Sequence, residues 1–137
     1  MTQKETAVKI CGLSQPQSLQ AAITYGARFI GLVFYPPSPR YVSFDTAWNL
    51  ARAVPTGVRS VGLFVDPSDD QLEHILTGIQ LDMIQLSGHE SPGRIHEIKQ
   101  RFAMPVIKAV HIEDQADLNQ IEGYETVADW ILLDTKV

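Results

Sequence analysis

The sequence predicts an α/β fold: a TIM-type (β/α)8 barrel, incomplete here, with about six parallel strands and five helices. Three observations predict it. Short β-branched runs recur six times, with helical patterns in the gaps. Strand onsets are spaced by about one βα repeat, and right-handed crossovers make such strands parallel. Polar and ionisable residues gather just after the strands, where a barrel keeps its chemistry, and not within them.

The first run spans 8–11 and leads through Cys11 into Gly12. Residues 15–25 then place Leu19, Ala22 and Ile23 on one helical face. The second run is 29–34, and residues 45–54 follow with Ala47, Leu50, Ala51 and Val54 on one face. The third is 59–65, followed over 69–79 by Leu72, Ile75, Leu76 and Ile79 at helical spacing. The fourth is 82–86. Ser91-Pro92 then supplies an N-cap and a proline at the first helical position for a helix carrying Ile95, Ile98 and Phe102. The fifth run is 105–110, and a weaker helical pattern near 114–122 offers Leu118 and Ile121. The sixth is 129–134. Gly26 and Gly78 fall at helix ends, where a left-handed residue costs little, and Pro55 and Pro105 separate helices from incoming strands.

A chain of 137 residues is long enough for one domain with a real core, and residues 1–137 are read as one partial barrel. A complete eightfold barrel has about 250 residues. Strands seven and eight are therefore expected to be absent, with open edges at strands one and six. A doubly wound parallel sheet is the alternative. Against it, the first strand leads into Cys-Gly-Leu-Ser-Gln-Pro, without the G-x-G-x-x-G of a dinucleotide fold.

Composition excludes several classes. Apolar residues make up 45% and charged residues 20%, as in ordinary globular proteins. A net charge of −5 with scattered Lys and Arg argues against nucleic acid, and Trp48 and Trp130 are not interleaved with a basic patch. No window approaches the roughly 18 apolar residues of a membrane span, and the N-terminus lacks a signal-peptide core. One cysteine excludes an internal disulfide framework. The expected location is the cytoplasm.

The strand outlets carry the candidate chemistry. Cys11 reads either as an inert buried thiol or as a general base. Asp134, delivered by an apolar strand, reads as a helix cap, a lysine partner or a proton donor. Strands one and six lie three steps apart around an eight-strand ring, so thiol and carboxylate face across a gap with room for a small ligand. One group takes a proton and the other gives one, as an isomerase requires. Arg40, held by a loop with three prolines, suits an anionic group or is a solvated surface residue. Lys9 shares the face of Cys11. Lys108, at the fifth outlet, and Gln85, at the fourth, are further supporting candidates, although either lysine equally suits a structural ion pair. His74 and His96 fall in helical patterns and are expected to face solvent. His89 and His111, following strands four and five, are a conceivable metal pair, but too few other ligands accompany them.

The segments VKICGL, GLVFYPPSPRYVS, VGLFVD, IQLSGHE, PVIKAV and LLDTK, in this order and with barrel spacing, resemble the phosphoribosylanthranilate isomerase family of tryptophan biosynthesis. The resemblance implies a (β/α)8 barrel and an Amadori rearrangement of N-(5-phospho-β-D-ribosyl)anthranilate, with no cofactor and no metal. It assigns the general base to Cys11, the general acid to Asp134, and binding at the anthranilate side to Arg40. Ser87 departs from the family's usual histidine in the fourth-strand Q-L-H-G segment. The family's phosphate-binding loops follow strands seven and eight, so the expected partner of the short chain is a complementary C-terminal fragment or a second copy at the open edges. The reading from a different class is a catalytically silent βα scaffold or assembly fragment.

Overall fold

A computed structural model describes residues 5–135. Strands and helices alternate along the chain. β1 is Lys9–Cys11, α1 Pro16–Thr24, β2 Phe29–Val33, α2 Phe44–Arg52, β3 Arg59–Phe64 and α3 Asp69–Gly78. β4 is Met83–Leu86, α4 Pro92–Phe102, β5 Val106–Ile112, α5 Gln120–Glu125 and β6 Trp130–Thr135. A 3-10 turn over Gln115–Asn119 leads into α5. The six strands form one parallel sheet in chain order, β1 to β6, which excludes the doubly wound alternative. The sheet curls but stays open, as an incomplete eightfold barrel.

Local chemistry sets the helix starts. Ser43, Ser68 and Ser91 each accept a hydrogen bond from the backbone N–H three residues on, and Pro92 opens α4 as the sequence predicts. The packed faces also follow the predicted spacing. Leu19, Leu50, Leu72, Ile75, Ile95 and Ile98 are buried against Ile30, Leu32, Phe64, Ile84, Leu86 and Val106 of the sheet. Each such side chain removed from water contributes about 1.5–3 kcal/mol.

The strand registers define the other face. Lys9 pairs with Phe29 and Cys11 with Gly31, and the registers carry this face through Val61 and Leu63, Met83 and Gln85, and Ile107 and His111 to Leu132 and Asp134. Paired residues of parallel strands point the same way. A Cβ on Gly31 would lie 2.9 Å from Cys11 Sγ and 3.3 Å from Lys9 Nζ, so thiol and ammonium share the space that this glycine leaves. Val61, Met83 and Ile107, with Phe29 and Leu132 against them, form a second apolar cluster on this inner face.

Four expectations are corrected. Gly26 has the left-handed backbone expected of it (φ +91°), but Gly78 does not, and its side is occupied by the Phe44 ring, which a Cβ would strike. Leu118 stays largely exposed, and Tyr124 and Val127 make the packing contacts of that segment. β5 extends to Ile112, so His111 belongs to the strand and does not follow it. Lys108 does not reach the inner face, because its register partner Leu86 belongs to the helix-side core. His74 and His96 are exposed as predicted. Among the described residues no helix is long and apolar enough to cross a membrane.

Candidate active site

β1 delivers Cys11 half-buried at the C-terminal end of the sheet. The chain turns immediately at Gly12, whose φ of +82° suits glycine, and its N–H donates to Gly31 O at 3.0 Å. The proline-rich loop after β2 closes on itself. Ser38 N donates to Tyr35 O, Tyr41 N donates to Ser38 O, and Tyr41 bridges back to Val33. This lays the Arg40 side chain over Gly12. Its Nη1 reaches Cys11 O at 3.4 Å, and a Cβ on Gly12 would stand 2.5 Å from Arg40 Cδ. The structure thus brings Cys11, Lys9 and Arg40 together on the β1 side.

β6 presents Asp134 exposed on the inner face, with Oδ1 accepting from Thr135 N at 2.9 Å. Its register partner is His111. His111 Nε2 lies 2.9 Å from Ser87 O, tying the ends of β4 and β5. Beneath it Gln85, only 4% exposed, donates through Nε2 to Ser87 Oγ at 3.1 Å, while its Oε1 has no donor. The side of the mouth opposite β1 is therefore Gln85, Ser87, His111 and Asp134.

Glu90 is a residue whose role sequence reasoning missed. Its buried carboxylate accepts from Asp66 N at 2.7 Å, Gly88 N at 3.0 Å and Lys108 Nζ at 2.8 Å. Asp66, held at φ +44°, accepts from His89 N, so this clasp binds the outlets of β3, β4 and β5 from the helix side. Lys108 takes the ion-pair alternative. Tyr124 donates to Glu90 O at 2.6 Å, and burial, then the Glu90 charge, push its phenol pKa up, which keeps it a donor.

The two histidines that follow β4 or end β5 face different partners, His89 turning to Asp66 and His111 to Ser87. Among the described residues no three His, Cys, Asp or Glu side chains group to hold a metal ion. A cavity of about 1130 Å³ opens at the opposite, N-terminal end of the sheet, lined by Arg28, Trp48, Arg59, Asp82 and Trp130 among others. Barrel chemistry belongs to the C-terminal outlets, so the strand ends that carry Cys11 and Asp134 are the candidate site despite that cavity's size.

A sequence model of the N-(5'phosphoribosyl)anthranilate (PRA) isomerase family matches residues 8–137. The chain is 49% identical over 130 residues to an N-(5'-phosphoribosyl)anthranilate isomerase of Paracoccus denitrificans, covering 95% of this chain and 60% of that protein. It is also 49% identical over 129 residues to one from Rhodospirillum centenum, covering 94% of this chain and 60% of that protein. The chain thus spans about three fifths of the length of these relatives. Among solved structures, phosphoribosyl anthranilate isomerase from Thermotoga maritima superposes with a TM-score of 0.89 at 33% identity, covering 97% of this chain and 63% of that one. A second such isomerase, solved with reduced 1-(o-carboxyphenylamino)-1-deoxyribulose 5-phosphate, gives 0.88 at 32% identity over 96% of this chain and 66% of that one.

Proposed function

The chain belongs to the N-(5'-phosphoribosyl)anthranilate isomerase family, and from that premise we propose that its protein converts N-(5-phospho-β-D-ribosyl)anthranilate into 1-(2-carboxyphenylamino)-1-deoxy-D-ribulose 5-phosphate in tryptophan biosynthesis. This is an intramolecular oxidoreduction of the aldose–ketose type, carried out in the cytoplasm. One observation carries the reading. Cys11 and Asp134 stand on the same inner face at the outlets of the two edge strands, and Arg40 lies over Gly12 beside the first of them.

Asp134 gives its proton to the ribose ring oxygen as the C1′–O bond breaks, leaving an iminium between C1′ and the anthranilate nitrogen. Cys11, as thiolate, takes the proton from C2′, and the electron pair moves into the C1′–C2′ bond to give an enolamine. Tautomerisation yields the amino-ketose, and composition is unchanged. The iminium is its own electron sink, so the chemistry needs placement and proton transfer, with no cofactor. Arg40 binds at the anthranilate side, where a guanidinium matches a carboxylate. Lys9 and Gln85 stand beneath the reacting groups as supporting residues, whereas Lys108 is committed to Glu90.

The phosphate falls to loops after strands seven and eight, as in other barrels. Further polypeptide beyond β6 completes the wall, as part of the same protein or as a complementary fragment. Leu133, 58% exposed on the outer face of β6, is the observation that favours such a partner. Assay of the protein with phosphoribosylanthranilate tests the proposal. Turnover sensitive to Cys11 and Asp134 supports it, and a correctly folded, full-length protein without turnover sinks it in favour of a silent scaffold.

A further inference from the structure

We propose that the Ser87 hydroxyl, oriented by Gln85, donates a hydrogen bond to O2′ of the substrate, the oxygen that leaves the reaction as the ketone carbonyl. The inference rests on the isomerase reading and deepens it.

Ser87 continues the inner face just beyond β4, and its backbone is held on both sides. Its N–H donates to Phe64 O on β3 at 2.9 Å, and its carbonyl oxygen lies 2.9 Å from His111 Nε2 on β5. The hydroxyl is held from below, where Gln85 Nε2 donates to Ser87 Oγ at 3.1 Å. Gln85 stands two residues back on the same face, nearly enclosed, with Leu63 and Ile107 as register partners. A hydroxyl has one proton to give. With its oxygen accepting from Gln85, that proton is left for a group above the amide, and Ser87 is half-open to the mouth.

The other end of the Gln85 amide has no use within the wall. Its enclosed Oε1 meets no donor among the described residues. Burying an amide with one end unpaired is costly, and such groups call for a reason at a site. An amide can face a hydroxyl with either end. Only with Nε2 toward Oγ does the hydroxyl keep its proton for a ligand.

The reaction brings an acceptor to this wall. Ser87 stands across the mouth from Cys11. Proton removal aims the C2′–H bond at Cys11, and C2′ is tetrahedral, so its hydroxyl tilts toward the opposite side. The remaining substrate oxygens have other partners: Asp134 serves the ring oxygen, Arg40 the carboxylate, and the loops after strands seven and eight the phosphate. A fixed neutral donor at O2′ matches the carbonyl that forms there and draws electron density from C2′ as its proton leaves.

In the full protein, Ser87→Ala should lower kcat about tenfold to a hundredfold with KM changed less than about threefold, and Ser87→Thr, which keeps the hydroxyl, should stay within about fivefold of the parent. Gln85→Glu tests the orientation. A carboxylate only accepts, so it takes the Ser87 proton and should lower kcat as far as Ser87→Ala, and the double variant should fall no further. Parental kcat in Ser87→Ala overturns the proposal, and multiplicative losses in the double variant overturn the part given to Gln85. Sugar phosphate binding gives a reading that needs no turnover. In NMR titrations the parent should bind D-ribose 5-phosphate about tenfold more tightly than 2-deoxy-D-ribose 5-phosphate, and Ser87→Ala should bind the two alike. Equal affinities in the parent, or no binding of either, overturn the contact. If the parent does not turn over phosphoribosylanthranilate, the isomerase reading falls, and the titrations still decide whether Ser87 reads the hydroxyl.

Discussion

The ammonium of Lys108 lies 2.8 Å from the Glu90 carboxylate, and both side chains are almost wholly enclosed between sheet and helices. The pair is structural: it joins β5 to the loop after β4, while Asp66 N and Gly88 N occupy the remaining carboxylate positions. Removing one member leaves an uncompensated buried charge, which costs about 3–5 kcal/mol. Lys108→Met should lower stability by that amount in urea denaturation. A loss under about 1 kcal/mol would show that the clasp holds without its cation.

Cys11→Ala and Asp134→Asn should each lower kcat by about 10²- to 10⁴-fold while leaving the fold intact, because each removes one proton-transfer group. Steady-state kinetics with matched circular dichroism spectra check this. Near-parental turnover in either variant removes that residue from its role.

Arg40 and Gly12 act on one geometry. Arg40→Ala should raise KM more than it lowers kcat. Gly12→Ala should do the same, since a Cβ there meets the Arg40 side chain, and should also cost about 1–2 kcal/mol for its left-handed backbone. The double variant should raise KM by less than the product of the two single effects. Fully multiplicative effects would separate the two residues.

The Lys99–Asp129 pair predicts a pH dependence. Burial alone would push the Asp129 carboxyl pKa up, but the Val106 N–H at 2.8 Å and Lys99 at 3.0 Å outweigh it and hold the pKa below the usual value. Such a carboxyl stabilises the fold fully above its unfolded pKa near 4, and that contribution is lost as pH falls through the lower folded pKa. Tm should therefore drop below about pH 4, and Asp129→Asn should flatten that limb while lowering the plateau near neutrality. Melting curves across this range check it, and superimposable profiles for parent and variant would contradict it.

The residues 1–137, produced alone, should associate through the sheet edges, which offer unpaired backbone groups beside exposed Ile10 and Leu133. Sedimentation velocity should show self-association that Leu133→Lys reduces. A dilute, stable monomer at all concentrations would mean that the edges are satisfied internally.

Elements and packed faces were legible because helix periodicity and capping residues are local signals: Ser91-Pro92 opens α4 as read, and Leu72, Ile75 and Ile79 face inward as spaced. The face taken by Lys108 was not legible. Val106, Ile107, Ala109 and Val110 are all buried, so β5 shows no alternation from which a face could be assigned. The role of Glu90 was missed for a related reason, since Lys108 and Asp66 lie on or beside neighbouring strands and only register brings them to it. Gly78 misled because a glycine needed for close packing looks like one needed for a turn.

Gly31 sets the working room of the thiol. The space beside its Cα is already taken, because a Cβ there would stand 2.9 Å from Cys11 Sγ, 3.2 Å from the Cys11 Cα and 3.3 Å from Lys9 Nζ. Alanine at this position would therefore push the thiol aside from inside the wall, with no change to any proton-bearing group. The position thus works as an adjustable stop behind Cys11: the nucleus of the reaction can be displaced by the thickness of a single carbon, leaving acid, base and loop chemically whole.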